Sequence, residues 1–460
     1  MHVAVVGGGI TGLGTALLLA AEGHRITLLD AQPELGGVAR PVTYGGHTFS
    51  PGPQFVWGFD DDGPGRAILA KAGVDVPFRT MSLDFEQLSI GEGPFRPVHG
   101  GERASTPFES ALDRLGEAEA VIAHGATFRR SGAAMLRAVA LSGAVAAPEQ
   151  LELLRARHES VAELAARHRS PAPTLRRVLY SQGIFAESLR DLSAVVFAAA
   201  RKHLVRPLHV PKGGMATLVS ALIDATLRHP RIDVHLGCGV RAGDQDPSGH
   251  RLMTDTDVLG PFDHVVACCS PAVVSRITGR PLAFEPSHSM AVACLAVQLT
   301  EASREALRGR NFTWYRSDDD VEFRTPPGSE PQYVNFVCPT LNGGEDGREQ
   351  VICAYVPADR TAGADLDLDA TVRRTLDLLG RVTTGVEVVD TRAIGPAQWT
   401  RSFGAFEGAI YGRRLTAASL QRSALDGLPR GWSLAHSGAG IPGVLGCLQM
   451  AAAAAEEVAA

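Results

Sequence analysis

His2-Val3-Ala4-Val5-Val6-Gly7-Gly8-Gly9-Ile10-Thr11-Gly12-Leu13-Gly14 opens the chain, and its reading decides the fold. The first five residues form a short, β-branched, apolar run of the kind that makes a strand buried on both faces of a parallel sheet. Three glycines end it. Leu13 to Ala21 then reads as an apolar helix closed by Gly23, and Arg25-Ile26-Thr27-Leu28-Leu29 reads as a second strand ending at Asp30.

Strand, glycine turn, helix, strand and terminal acid together make a dinucleotide-binding unit. Gly7 permits the tight turn. Gly9 lets the main chain approach a pyrophosphate, and Gly12 lets helix and strand meet without a side chain between them. The start of the helix that follows offers free N–H groups and a helix dipole that favour phosphate. Asp30 is placed to accept hydrogen bonds from the ribose hydroxyls of an adenosine. These residues alone leave FAD and NAD open.

Past Asp30 the sequence runs Ala31-Gln32-Pro33-Glu34-Leu35-Gly36-Gly37-Val38-Ala39-Arg40. This stretch resembles the second phosphate-binding element of the phytoene desaturase group within the flavin amine oxidase superfamily. Further matches follow in that family's order. Gly45 to Gln54 resembles the segment that passes the isoalloxazine ring, with Ser50 where the family usually has an acid. Pro211-Lys212-Gly213-Gly214 and the apolar pattern after it resemble the turn and helix that return the chain to the FAD domain. Val234 to Val240 resembles the strand whose last valine meets the adenine. Phe262 to Pro271 resembles the strand closing the second excursion of that domain.

Leu434 to Cys447, with Gly438-Ala439-Gly440-Ile441-Pro442-Gly443-Val444-Leu445 inside it, is similar to the C-terminal flavin element of polyene oxidoreductases. His436-Ser437 stands where the family carries a polar pair. Gly404 to Gly412 resembles a loop capping the substrate end.

The resemblance implies an α/β fold: a Rossmann-like FAD-binding domain of three layers (ββα) with a discontinuous α+β substrate domain containing an antiparallel sheet and a helical roof. The division expected is 1–75, 206–280 and 401–460 for the FAD-binding parts, with 76–205 as the helical substrate part and 281–400 as its antiparallel sheet. Helical patterns from about Pro107 to Leu204, including Glu149 to Arg157, would supply the roof. Apolar runs at Ala293 to Leu299, Phe312 to Tyr315, Tyr333 to Cys338 and Val351 to Val356 read as sheet strands. FAD contacts are expected at Gly7, Gly9, Ile10, Thr11, Gly12, Asp30, Gly36, Gly37, Arg40, Pro53, Val240, Gly440 and Ile441.

The activity implied is desaturation, or double-bond isomerisation, of a hydrophobic alkene or polyene by hydride transfer to flavin N5, with a hydrophobic small molecule or a carrier-bound acyl chain as partner. His436 is the foremost candidate for handling the proton, because an ordinary imidazole titrates near neutrality. Glu407 and Tyr411, with Arg413, stand at the expected substrate end. Two alternatives are flavin amine oxidation and a non-redox FAD-dependent isomerase. Amine oxidation would call for an aromatic cage and often a lysine near N5, and no lysine follows Lys212.

Composition bounds the remaining classes. A formal net charge of −6 argues against nucleic acid as a partner. The seven cysteines are scattered without a C-x-x-C pair and read as buried thiols, so no metal is expected. No run reaches the roughly 18 apolar residues needed to span a bilayer. A cytoplasmic protein is expected, free or peripheral to a membrane, and the sequence leaves its oligomeric state open.

Overall fold

A computed structural model of the chain describes residues 1–44, 46–82, 84–98, 106–117, 156, 158–170, 183, 185–204, 207–282, 284–317, 330–360, 367–421, 427–436 and 443–459. The opening run forms the strand His2–Val6, with Val3 to Val6 buried. It is central in a five-stranded, all-parallel sheet whose order is Trp432–Leu434, His264–Ala267, His2–Val6, Arg25–Leu29, Ile232–His235. Strands from the first and last parts of the chain thus lie in one sheet.

Both faces are covered, as apolar parallel strands require. On one face the helix Ile10–Ala21 packs with Met215–Arg228 and Val444–Ala459. The first and last helices come so close that a Cβ on Gly14 would lie 3.2 Å from that of Ala451. On the other face, Leu252 and Phe262 of the antiparallel strands Val240–Asp246, Gly249–Thr254 and Val258–Phe262 bury against Val265, Ala267, Trp432 and Leu434. The three layers expected, sheet, sheet and helix, are present.

The second large unit is a seven-stranded sheet in the order Val386–Ile394, Ser289–Leu299, Glu349–Ala358, Tyr333–Val337, Asn311–Tyr315, Glu86–Ile90, Arg96–Pro97. Its pairs are antiparallel except Asn311–Tyr315 with Glu86–Ile90, which run parallel. The four central strands are the apolar runs read from the sequence. Glu86–Ile90 and Val386–Ile394 were not, because polar residues (Glu86, Gln87 and Ser89; Glu387, Asp390, Thr391 and Arg392) break up any apolar run and each strand finds its place only through a distant partner.

One face of this sheet buries Phe312, Trp314, Val334, Phe336 and Ile352 against Leu378 and Leu379 of the helix Leu368–Val382. The opposite face joins the core that contains Ile10, Trp57 and Met215.

Helices Pro107–Glu117, Val161–Arg167 and Ala194–Leu204 belong to the helical segment. Val161–Arg167 begins with a reciprocal cap in which Ser160 accepts from the Glu163 N–H and Glu163 accepts from the Ser160 N–H. Of the amphipathic stretch 149–157, all but Ala156 lies outside the described residues. Among the described residues no helix is long and apolar enough to cross a membrane.

Candidate functional site

The glycine turn is built by close approach. Gly7 has φ +111°, and a Cβ there would stand 2.9 Å from the Cys268 carbonyl oxygen. A Cβ on Gly12 would fall on the carbonyl oxygen of Gly7. The helix Ile10–Ala21 has no side-chain cap and no acid in its first turn. Its leading N–H groups, on Ile10, Thr11 and Gly12, therefore remain to be met by something other than a cap.

The second glycine pair lies against the first. Gly36 donates its N–H to the Gly8 carbonyl at 2.8 Å, and a Cβ on Gly37 would lie 3.2 Å from the Gly9 Cα. The helix Met215–Arg228 closes over this pair, with Val219 Cγ1 3.1 Å from where a Gly36 Cβ would be. Two bare stretches of main chain form one cradle at the start of a helix, a shape suited to a diphosphate.

Asp30 sits at the end of the cradle, its Oδ2 accepting from the Gly8 N–H at 2.5 Å and its Oδ1 from the Gln32 N–H at 2.7 Å. Burial raises its pKa, while these two backbone hydrogen bonds and Arg40 pull the other way. Each oxygen keeps a lone pair for a hydroxyl. The Asp30 carbonyl accepts from the Cys238 N–H at 2.8 Å, which brings half-buried Val240 alongside.

Arg40 reaches Glu34 at 2.6 Å and the Ser402 carbonyl at 2.8 Å, with its guanidinium over the Phe403 ring. Its Nε is buried without a hydrogen-bond partner. Glu34 is mostly exposed, so that ion pair is weak and displaceable by an anion.

The segment after it is tied to the seven-stranded sheet. Gln54 Nε2 donates to the Ser50 carbonyl and the Tyr355 hydroxyl, and Tyr355 donates to the Gly52 carbonyl at 3.0 Å. Pro53 lies half-buried between these anchors. Gln54 Oε1 and Trp57 Nε1 are, like Arg40 Nε, buried without partners. Native interiors seldom leave such atoms unmet. Three of them in one stretch beside a bare phosphate cradle fit an extended, polar nucleotide such as FAD.

From the C-terminal side, Ala435 donates to the Ala267 carbonyl at 2.9 Å and delivers His436. Burial and the Arg413 guanidinium hold the His436 imidazole down to about 4, so it is neutral at pH 7. The near-neutral titration expected of it is therefore absent, because both influences disfavour the charged ring. Gly440 and Ile441 lie outside the described residues. Gly443, just after them, is placed so that its Cβ would meet the Trp57 ring at 3.0 Å.

The other expected residues separate. Tyr411 turns inward, its hydroxyl donating to the Gly183 carbonyl at 3.1 Å, and burial pushes its phenol up. Glu407 is exposed on a turn and pairs with Arg360 at 2.6 Å. The structure brings His436 and Arg413 together and leaves Glu407 away from the interior.

Gln54, Trp57 and Tyr355 were not singled out in the sequence. Gln54 and Trp57 carried a signal, being polar-tipped residues directly after the Gly52-Pro53 turn. Tyr355 had none beyond its place in an apolar run.

Residues 10–457 match the family of flavin-containing amine oxidoreductases. The 4,4'-diapophytoene desaturase (4,4'-diaponeurosporene-forming) of Staphylococcus haemolyticus is 43% identical over 56 residues, which is 12% of this chain and 11% of that protein. The 4,4'-diapolycopene-forming desaturase of Methylomonas sp is 38% identical over 55 residues, again 12% of this chain and 11% of that one. The match thus spans about a tenth of the length of these curated relatives. Wild-type putrescine oxidase bound to putrescine superposes with a TM-score of 0.68 at 19% identity, covering 100% of this chain and 99% of that one. An oxidoreductase from Methanosarcina mazei gives 0.62 at 13% identity, covering 99% and 100%. At these identities the solved structures share the fold.

Proposed function

The chain belongs to the flavin-containing amine oxidoreductase family and is an FAD-dependent oxidoreductase, and from that premise we propose that it desaturates a hydrophobic alkene or polyene. Bound FAD supplies the acceptor for a hydride leaving one carbon, and a proton leaves the neighbouring carbon. The chain's own part is to hold the nucleotide, exclude water and receive that proton.

On this reading residues 1–75, 206–280 and 401–460 are the cofactor-binding parts, and 76–205 and 281–400 hold the substrate. Gly7, Gly9, Ile10, Thr11, Gly12, Gly36 and Gly37 bind the diphosphate through main chain, Asp30 the ribose and Arg40 a phosphate oxygen. Pro53, Val240, Gly440 and Ile441 complete the cofactor's surroundings. His436, neutral at pH 7, is the residue assigned to the proton.

The observation that carries the proposal is the interior between the two sheets. Ile10, Trp57, Phe85, Phe185, Phe197 and Met290 belong to one buried cluster that runs from the glycine turn to the inner face of the seven-stranded sheet. An apolar, water-excluding interior of this kind suits a hydrocarbon chain and a hydride step. The likeness to diapophytoene desaturases supports the same substrate class. A carrier-bound acyl chain would suit it equally.

The test is anaerobic reduction of the yellow holoprotein. Loss of the flavin absorption band with a long-chain alkene or polyene, and not with alkyl amines, is the expected result. Bleaching by amines alone would replace the proposal with amine oxidation. Migration of double bonds without bleaching would replace it with isomerisation.

A further inference from the structure

Glu86 opens a strand whose alternation places Glu86, Leu88 and Ile90 on one face. Register extends that face across the sheet. Glu86 stands opposite Asn311, Thr313 opposite Asn335, Tyr315 opposite Tyr333, and Asn335 opposite Tyr355. Leu88, Ile90, Tyr315, Tyr333 and Tyr355 from this face all pack into the core that reaches the glycine turn, so it is the inner face.

A polar row crosses this apolar surface. Asn311 Nδ2 donates to Glu86 Oε2 at 2.8 Å, and Asn335 Nδ2 donates to Asn311 Oδ1 at 3.1 Å and to Thr313 Oγ1 at 2.9 Å. The row is satisfied everywhere but at its end. Glu86 is 3% exposed, and its Oε1 has no hydrogen-bond partner.

Burial is the dominant influence on this carboxyl and raises it to about 8, with only the Asn311 amide opposing. At pH 7 it is the neutral acid. Because Oε2 already accepts from Asn311, the hydroxyl proton belongs on Oε1, where no described residue receives it. A buried donor left unmet is costly, which is why such groups in native interiors mark a ligand or an ordered water.

From these relationships we infer that Glu86 is a specificity-determining residue that receives a hydroxyl or carbonyl oxygen on an otherwise apolar substrate. The inference rests on the apolar-substrate reading above and narrows it: the substrate is an oxygen-bearing chain and not a plain hydrocarbon. Three strand spacings separate the Glu86 strand from that of Tyr355, about 14 Å in all. Tyr355 anchors Gly52, so a chain lying across the inner face would reach from the Gly52–Gln54 segment to Glu86.

The experiment uses the FAD-loaded protein and four probes of equal chain length: dodecane, 1-dodecanol, 2-dodecanone and dodecylamine. Binding is followed by the shift of the thermal unfolding midpoint and by perturbation of the flavin band. The alcohol and ketone are expected to bind at least about tenfold more tightly than the alkane, the effect of one well-made buried hydrogen bond. Glu86→Leu should erase that preference, and Glu86→Gln, which keeps a donor, should retain most of it. In the wild type, infrared difference spectra should show the protonated carboxyl band moving when dodecanol binds and absent in Glu86→Gln, a readout that survives misfolding of the Leu variant.

Equal binding of alkane and alcohol, an unmoved carboxyl band or a preference for dodecylamine would each overturn the assignment. Alkene-driven bleaching without the oxygen preference would sink only this inference. An oxygen preference that depends on Glu86 without bleaching by any alkene would sink the desaturation reading and leave Glu86 in place.

Discussion

Asp30 Oδ2 lies 2.5 Å from the backbone nitrogen of Gly8, so the acid at the end of the second strand holds the glycine turn at the end of the first. One side chain thereby shapes the glycine cradle, and on the proposed reading it also meets the ribose.

Asp30→Asn is expected to weaken FAD binding about tenfold to a hundredfold, because an amide cannot offer both oxygens to the Gly8 and Gln32 N–H groups and still accept from a hydroxyl. Calorimetric titration of the apoprotein with FAD measures it. An unchanged affinity would mean that Asp30 serves only the turn.

Gly12→Ala puts a methyl group on the Gly7 carbonyl oxygen, with main chain and not a flexible side chain in the way. The helix must shift, at a cost of about 1 to 3 kcal/mol. The purified variant should unfold several degrees lower and carry little flavin, read from the ratio of flavin to protein absorbance.

Glu86 gives stability a pH dependence of definite sign. Its carboxyl rises from 4.5 in the unfolded chain to about 8 in the fold, so between those values the folded protein keeps a proton that the unfolded chain has lost. Stability therefore falls as pH rises through this window, by on the order of 3 to 5 kcal/mol in total. Glu86→Gln should remove the dependence and be the more stable protein at pH 9, with little difference near pH 4.5. Denaturant unfolding at both pH values decides it.

His264 and His436 work in the opposite direction. Burial holds each down to about 4, with His250 adding to it at His264 and Arg413 at His436. Between 6.5 and about 4 the unfolded chain takes up protons that the folded state refuses, so stability falls as pH drops through that range, by about 1 to 3 kcal/mol for each group. His264→Gln and His436→Gln should each flatten the acid limb of the unfolding midpoint plotted against pH.

Residues that act through their own neighbourhood were legible early. The run from Val3 to Gly12 and the acid at Asp30 lie within one βαβ unit, and strand periodicity, glycine geometry and the helix start identify that unit without knowledge of the rest. The four apolar strands of the second sheet were legible for a similar reason, since each is a short, largely apolar run bounded by turn-forming loops. Glu407 shows where local reading stops. Its loop resembles one at a substrate end, yet the turn leaves its side chain outside with Arg360.

The amino-acid order alone thus determined the dinucleotide unit, because that follows from hydrophobic period and from glycines that nothing else could replace, while the layers around it and the flavin were implied by resemblance to a family. Only the tertiary structure decided which polar groups are shut away from water. Glu86 meets Asn311 across 225 positions and Gln54 meets Tyr355 across 301. Strand register, fixed when distant segments pair, chose the face on which each side chain lies, and burial on that face turned ordinary residues into an acid that keeps its proton and an amide oxygen left without a partner.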